Sequence, residues 1–141
     1  MEKFASAHWE GDLKSGKGTV TTESGALKAQ PYGFNTRFGD QPGSNPEELI
    51  GAAHAACFSM ALSQQLGNAD MVAEAIETKA TVRLDKEGDG FTITAVHLSL
   101  TAKIPGGDKA AFENAANQAK EGCPVSKLLN ARITLDTQLE S

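Results

Sequence analysis

Cysteine is scarce in this 141-residue chain, and that scarcity is informative. There are two, Cys57 and Cys123, with no C-x-x-C pair, and His8, His54 and His97 form no ligand cluster with either thiol. Spacing therefore excludes the usual metal frameworks. An excess of positive charge is also missing. Thirteen Lys and Arg against eighteen Asp and Glu leave a net charge of −5, which argues against nucleic acid, a ligand that wants a basic face. No apolar leader is present, because Met1-Glu-Lys-Phe runs straight into a polar, glycine-punctuated segment, so no secretory signal is expected. Two cysteines without such a signal suggest a reducing cytoplasm, where a disulfide is transient and catalytic rather than structural. The charge-free run Leu49 to Ala69 is long enough to span a bilayer. It carries His54, Ser59, Ser63, Gln64, Gln65 and Asn68 among many Ala and Gly, which marks a buried core helix and not a membrane anchor. Internal repeats and low-complexity tracts are absent.

What is present reads as one domain over residues 1–141, large enough to bury a core. Phe4–Trp9, Gly18–Glu23 and Ala26–Gln30 are short β-type runs with Gly11-Asp12 and Ser24-Gly25 as turns. A loop rich in Gly and Pro follows and holds Phe34, Arg37 and Phe38. Asn45 caps a helix with Pro46 in its first turn and Glu47 and Glu48 at the positive end of its dipole. Gly67-Asn68 is its stop. Apolar and small residues go all the way round this helix, so it is expected to be enclosed on most sides, with a partner subunit as part of the cover. Ile76–Asp85 and Phe91–Ile104 alternate with period two and are joined by Lys86–Gly90. Asp108 caps a second helix ending near Glu121, Cys123-Pro124 opens a short third one, and Ala131–Leu139 is a final strand. With no βαβαβ rhythm, the expected class is α+β: antiparallel sheets packed on a central buried helix.

Each candidate residue has two readings. Cys57 is either a small hydrophobe in a helix or a functional thiol that needs a cation to hold its thiolate, since apolar burial raises the pKa. Arg37 is the nearest upstream candidate, and otherwise a surface arginine. Cys123 has the better local electrostatics, because a thiol at a helix N-terminus gains from the free N–H groups there. On this ground it is the more acidic thiol. Glu47 is a first-turn carboxylate or the orienter of the Arg37 fork. His54 reads as a hydrogen-bonded core residue. Trp9, Phe34, Phe38, Phe58 and Met60 read as core, with some available to line an apolar slot.

The run Asn45-Pro-Glu-Glu-Leu-Ile-Gly-Ala-Ala-His-Ala-Ala-Cys57-Phe-Ser-Met-Ala-Leu, followed downstream by Gly122-Cys-Pro-Val-Ser126, resembles the osmotically inducible protein C and organic hydroperoxide resistance family. His8-Trp9-Glu-Gly, Gly16-Lys-Gly-Thr and Pro31-Tyr-Gly-Phe-Asn-Thr-Arg37-Phe extend the resemblance over nearly the whole chain. The Tyr-Gly-Phe-Asn block points to the osmotically inducible branch. The resemblance implies a thiol-dependent peroxidase that reduces organic hydroperoxides without metal, haem or flavin, recycled by a lipoyl-type dithiol. It implies that Cys57 attacks, that Cys123 resolves, and that Arg37 and Glu47 activate thiolate and peroxide. This reverses the order suggested by local electrostatics. It also implies an intertwined homodimer. Glu47 and Cys57 are ten residues apart, about 15 Å along a continuous helix, so Arg37 and Glu47 are expected to reach the cysteines of the other subunit. The competing readings are a redox sensor without turnover and a carrier of small apolar ligands.

Overall fold

The computed structural model describes residues 1–141, which gather into two compact units, Met1–Leu49 and Ile50–Ser141. The first unit is a three-stranded antiparallel sheet in the order β1 (Ala5–Glu10), β2 (Lys17–Thr22), β3 (Gln30–Tyr32). Trp9 and Tyr32 flank Gly18 on neighbouring strands, with ring centroids 5.6 Å apart. A Cβ at Gly18 would stand 2.6 Å from both rings, so only glycine lets them close over β2. The expected strand Ala26–Gln30 is displaced. Residues 26–29 bend, Leu27 bonds back to Thr22, and Ala29 takes a positive φ of 49°. Pairing resumes only at Gln30. The loop expected to hold Phe34, Arg37 and Phe38 contains a short helix, α1 (Phe34–Phe38). Thr36 closes its first turn, its hydroxyl accepting from the Gly33 N–H at 2.9 Å.

Helix α2 (Pro46–Asn68) begins in the first unit and forms the backbone of the second. Its start is the expected one: the Asn45 side-chain oxygen accepts from the Glu48 N–H at 2.8 Å, the N-cap arrangement. Within this chain Gly51, His54, Phe58, Leu62 and Leu66 form one buried stripe at helical spacing. Ala52, Ala53, Ala56 and Met60, on other faces, are exposed. A single chain thus encloses one face of the helix, not most of them.

The second unit carries a sheet in the order β4 (Ala75–Glu87), β5 (Gly90–Lys103), β6 (Arg132–Glu140). Gly88, at φ 60°, makes the tight β4–β5 turn. The α+β class holds, but the sheet is mixed rather than wholly antiparallel, because β6 pairs with β5 in parallel. Helices α3 (Lys109–Gly122) and α4 (Pro124–Leu128) lie between those strands. They return the chain to the start of β5 before β6 begins, and such a crossover is what parallel pairing requires. Central β5 buries Val96, Leu98, Leu100 and Ala102 on one face. Helix α3, capped by Asp108 through the Ala111 N–H, adds Phe112, Ala115, Ala116 and Ala119. Gly51 brings α2 close to β4, where an added Cβ would lie 3.3 Å from the Ala80 carbonyl oxygen. No helix is long and apolar enough to cross a membrane.

Phe58 is completely buried in this core, whereas Val72 is 84% exposed. Phe58→Ala is expected to lower stability by about 3–5 kcal/mol and Val72→Ala by less than about 0.5 kcal/mol, as read by urea unfolding.

Candidate active site

The four residues singled out by sequence fall into two pairs, one in each unit. In the first unit, Arg37 on α1 meets Glu47 in the opening turn of α2. Arg37 Nε donates to both carboxylate oxygens at 3.1 and 3.2 Å, and Nη2 donates to Oε1 at 2.6 Å. This forked contact fixes the plane of the guanidinium and leaves Nη1 for another acceptor. The local sequence makes the pair. Asn45 caps α2 with its oxygen and, through its amide nitrogen, donates to the Thr36 carbonyl at 3.2 Å, tying α1 to the start of α2. Glu47 is the more sheltered partner, 12% exposed against 36% for Arg37. The guanidinium also lies 5.2 Å from the Phe38 ring centroid, a cation–π distance. Trp9, Leu13, Tyr32, Phe34 and Phe38 wall a largely apolar cavity of about 170 Å³ that opens beside Arg37.

In the second unit, Cys57 on α2 and Cys123 at the N-cap of α4 are free thiols near enough to shift each other's acidity, although 66 residues separate them in sequence. Cys57 is half-buried and Cys123 wholly buried. Their acidities diverge. Burial pushes the Cys57 thiol up, and the hydrogen bond and charge of Cys123 push it further, against one N–H from Val125. For Cys123 burial also disfavours the thiolate, but the donors around it outweigh burial: the Cys57 thiol, the Ser126 and Val125 N–H groups and the Ser126 hydroxyl. Its pKa ends below the ordinary thiol value. The expectation that Cys123 is the more acidic thiol therefore holds.

His54 is, as expected, a hydrogen-bonded core residue, completely buried with Nε2 2.7 Å from Ser126 Oγ. Burial lowers its pKa and keeps the ring neutral. Ser126 had no role in the sequence reading, although it closes the Gly122–Ser126 motif. Its position three residues after the capping Cys123 was the available signal, since a side chain there faces the cap. No three His, Cys, Asp or Glu side chains gather into a group able to hold a metal.

Comparison with known proteins bears on this geometry. The family described as OsmC-like protein matches residues 39–138, a span that includes Glu47, Cys57 and Cys123 and begins two residues after Arg37. The protein named Peroxiredoxin OsmC from Escherichia coli (strain K12) is 58% identical over 141 residues, covering 100% of this chain and 99% of its own. Organic hydroperoxide resistance protein OhrB of Bacillus subtilis (strain 168) is 30% identical over 124 residues, covering 87% of this chain and 89% of its own. The crystal structure of the Bacillus subtilis OhrB protein superposes with a TM-score of 0.70 at 25% identity, over 96% of this chain and 98% of that one.

A neutral buried His54 has a sign-definite consequence for stability. The unfolded chain takes up a proton on this ring near pH 6.5, its ordinary value, while the folded chain resists it. The unfolded state then binds more protons, so the His54 contribution to stability is lost as pH falls below 6.5, with a slope of at most about 1.4 kcal/mol per pH unit. Urea unfolding of wild type and His54→Gln between pH 7 and 5 is expected to show the steeper loss in wild type.

Proposed function

The chain belongs to the OsmC-like protein family, and on that premise we propose that it is a thiol-dependent peroxidase that reduces organic hydroperoxides to alcohols. The observation that carries the reading is the contact between two reduced thiols brought together from α2 and α4. Such a pair has both an attacking and a resolving sulfur within reach of one bond. In the proposed cycle the Cys57 thiolate attacks one peroxide oxygen. The O–O bond breaks, the alkoxide leaves and takes a proton as alcohol, and Cys57 becomes a sulfenic acid. Cys123 then attacks that sulfur as a thiolate. The S–S bond forms, the S–O bond breaks, and the departing hydroxide is protonated to water. A dithiol of the lipoyl type reopens the disulfide by exchange and leaves as its own disulfide. A reducing compartment such as the cytoplasm supplies it.

Cys57 as attacker needs help, because its surroundings hold it protonated. Arg37 is the cation assigned to that task, with Glu47 fixing its orientation and Nη1 left to bind the thiolate or the peroxide. The aromatic cavity beside Arg37 suits the hydrocarbon part of an organic hydroperoxide. Hydrogen peroxide has nothing to place there.

The site is proposed to form across a homodimer. Glu47 and Cys57 lie on one continuous helix, ten residues apart, which corresponds to about 15 Å of rise. The exposed Ala52, Ala53, Ala56 and Met60 of that helix form a small-residue apolar surface on which a second copy can pack closely. In this arrangement Arg37 and Glu47 of one protomer serve the cysteines of its partner.

Peroxide consumption with dihydrolipoamide tests the cycle. Wild type is expected to turn over cumene hydroperoxide faster than hydrogen peroxide. Cys57→Ser should fail at the first oxidation, and Cys123→Ser should stop after it. Arg37→Ala should slow the first oxidation by about 100-fold or more, the loss typical of one removed charge-stabilising donor. One rapid oxidation of wild type without turnover would mark a sensor instead. Retained first oxidation in Cys57→Ser would exchange the roles of the thiols.

Shared sites have their own test. Inactive Cys57→Ser and Arg37→Ala chains, mixed in equal amounts and allowed to exchange, are expected to recover about a quarter of wild-type turnover. Half of the dimers are then mixed, and each holds one whole site. Activity no higher than that of either parent would place each site within a single protomer.

A further inference from the structure

The Arg37–Glu47 pair joins two helices, and one side chain spans the gap between them. Helix α1 is only five residues long, too short to pair most of its own carbonyls. The Asn35 carbonyl is taken by the Gly39 and Gln41 N–H groups at 3.1 and 3.3 Å. The next one, that of Thr36, belongs to the same peptide as the Arg37 N–H and accepts from Asn45 Nδ2 at 3.2 Å. On its other side that peptide is held by the Arg37 N–H, which donates to the Gly33 carbonyl at 3.2 Å. The Asn45 carboxamide turns its oxygen to the Glu48 N–H at 2.8 Å, one of the unpaired donors at the start of α2. Half of this side chain thus grips the backbone beside Arg37, and the other half grips the backbone beside Glu47. Thr36 and Asn45 are both half-buried. The neighbouring hydroxyls do not make this link, because Thr36 bonds within α1 to Gly33 and Ser44 bonds to the Pro31 carbonyl. Residue type decides the matter. Asp and Ser cap a helix about as well as Asn, but Asp has no donor and the Ser hydroxyl ends one bond nearer its backbone. Asn alone among them offers acceptor and donor on one planar group.

We propose that Asn45 is a positioning residue that sets the Arg37 guanidinium against Glu47, a role separable from its capping of α2. The inference rests on the peroxidase reading for its place in the cycle, and on hydrogen bonds within Met1–Leu49 for its geometry. The two halves of the ion pair are anchored unequally. Glu47 stands in the first turn of a 23-residue helix, whereas Arg37 stands on a helix of five. Asn45 therefore holds the weaker half. An arginine side chain is long enough to find a carboxylate from many backbone positions, so the ion pair alone does not choose a direction for Nη1. Fixing the peptide on the N-terminal side of Arg37 fixes its Cα and selects one. The forked contact, with Nη2 2.6 Å from Oε1 and Nε 3.1 and 3.2 Å from the two oxygens, is then held in advance. Ordering is complete on folding and is not repeated at each encounter with peroxide. Asn45 makes and breaks no bond in the cycle. It changes how often Nη1 faces the thiolate or the peroxide.

Asn45→Ser is the decisive variant, because it keeps a cap for α2 and removes the donor to Thr36. Its urea midpoint should stay nearer wild type than that of Asn45→Ala, which loses cap and donor together. The first oxidation by cumene hydroperoxide, read by rapid quench, is expected to slow about tenfold in Asn45→Ser, within the roughly hundredfold that a misplaced group can cost. In an Arg37→Ala background the same substitution should change that rate by less than about twofold, since its effect runs through the guanidinium. A merely structural role would slow both backgrounds alike. A second readout needs no peroxide. The Arg37 Nε–H signal in nitrogen-15 NMR, assigned by its loss in Arg37→Lys, is expected to exchange with water about tenfold faster in Asn45→Ser, because a fork that opens more often protects it less. Equal slowing in both backgrounds overturns the proposal, and so does an unchanged Nε–H exchange in Asn45→Ser. Should Asn45→Ser fail to fold, Asn45→Asp, which also keeps the cap and lacks the donor, is judged by the same two measurements. If wild type consumes no peroxide, the peroxidase reading falls, and the Nε–H exchange still decides whether Asn45 sets the fork.

Discussion

The contact between the Cys57 and Cys123 sulfurs organises the second unit. To make it, α2 must lie close on the β4–β5 sheet, which Gly51 permits by carrying no side chain beside the Ala80 carbonyl. Helix α3 must end so that Cys123 becomes both its C-cap and the N-cap of α4, and Pro124 forces that break by starting a new helix at once. The stripe of Phe58, Leu62 and Leu66 and the facing residues of β5 and α3 then lock these elements in place. The two thiols sit where the core meets a helix start. This is why they share neighbours yet differ in acidity: the polar groups at the start of α4 favour the Cys123 thiolate, while burial first and Cys123 second keep Cys57 protonated.

That asymmetry separates two properties a peroxidase needs. A resolving thiol has to be ionised late, when its partner is already oxidised, and a fixed set of donors in the core achieves that without a charge. An attacking thiol has to be ionised when peroxide arrives, and only a cation brought to it does so against burial. In the proposed cycle the Arg37–Glu47 fork makes that delivery. Its carboxylate is sheltered in a helix start, and its guanidinium plane is held on one edge and free on the other. In the proposed dimer, the length of α2 gives this division a physical reason to use two protomers. Glu47 and Cys57 are nearly three turns apart on α2, so a straight helix cannot set them side by side, whereas the proposed second copy can.

Sequence made some of this visible and hid the rest for identifiable reasons. The start of α2 was legible because Asn45, Pro46 and Glu47 each favour a helix N-terminus by a local mechanism. The cap at Asp108 was legible in the same way, and the α2 stop at Gly67-Asn68 agreed as well. Strands β4 and β5 announced themselves by alternation. Alternation carries no information on pairing direction, however, so the parallel β5–β6 ladder was out of reach. Helix α1 is too short to show a period, and Ala29 adopts a left-handed conformation that its residue type does not advertise. The candidate site divided along the same line. Cys57, Cys123, Arg37 and Glu47 sit in motifs with local signatures. Ser126 acquires its meaning from His54, 72 residues away, and a contact of that kind exists only after folding.

His54 shows what the core gives up to hold Ser126 in place. A leucine would suit the stripe between Gly51 and Phe58, would bury no unpaired nitrogen and would be indifferent to pH. A buried polar atom without a partner typically costs about 1–3 kcal/mol, and Nδ1 is such an atom. Its hydrogen bond to Ser126 offsets part of that cost, but Ser126 is a small side chain whose hydroxyl could otherwise turn toward water or a backbone carbonyl. Stability alone therefore favours replacing both. The arrangement makes sense by position, because Ser126 lies three residues after Cys123, in the first turn of the helix that Cys123 caps, and the imidazole fixes that hydroxyl there. A core that accepts an orphaned nitrogen in order to hold one hydroxyl at the start of α4 has traded some stability for order beside Cys123.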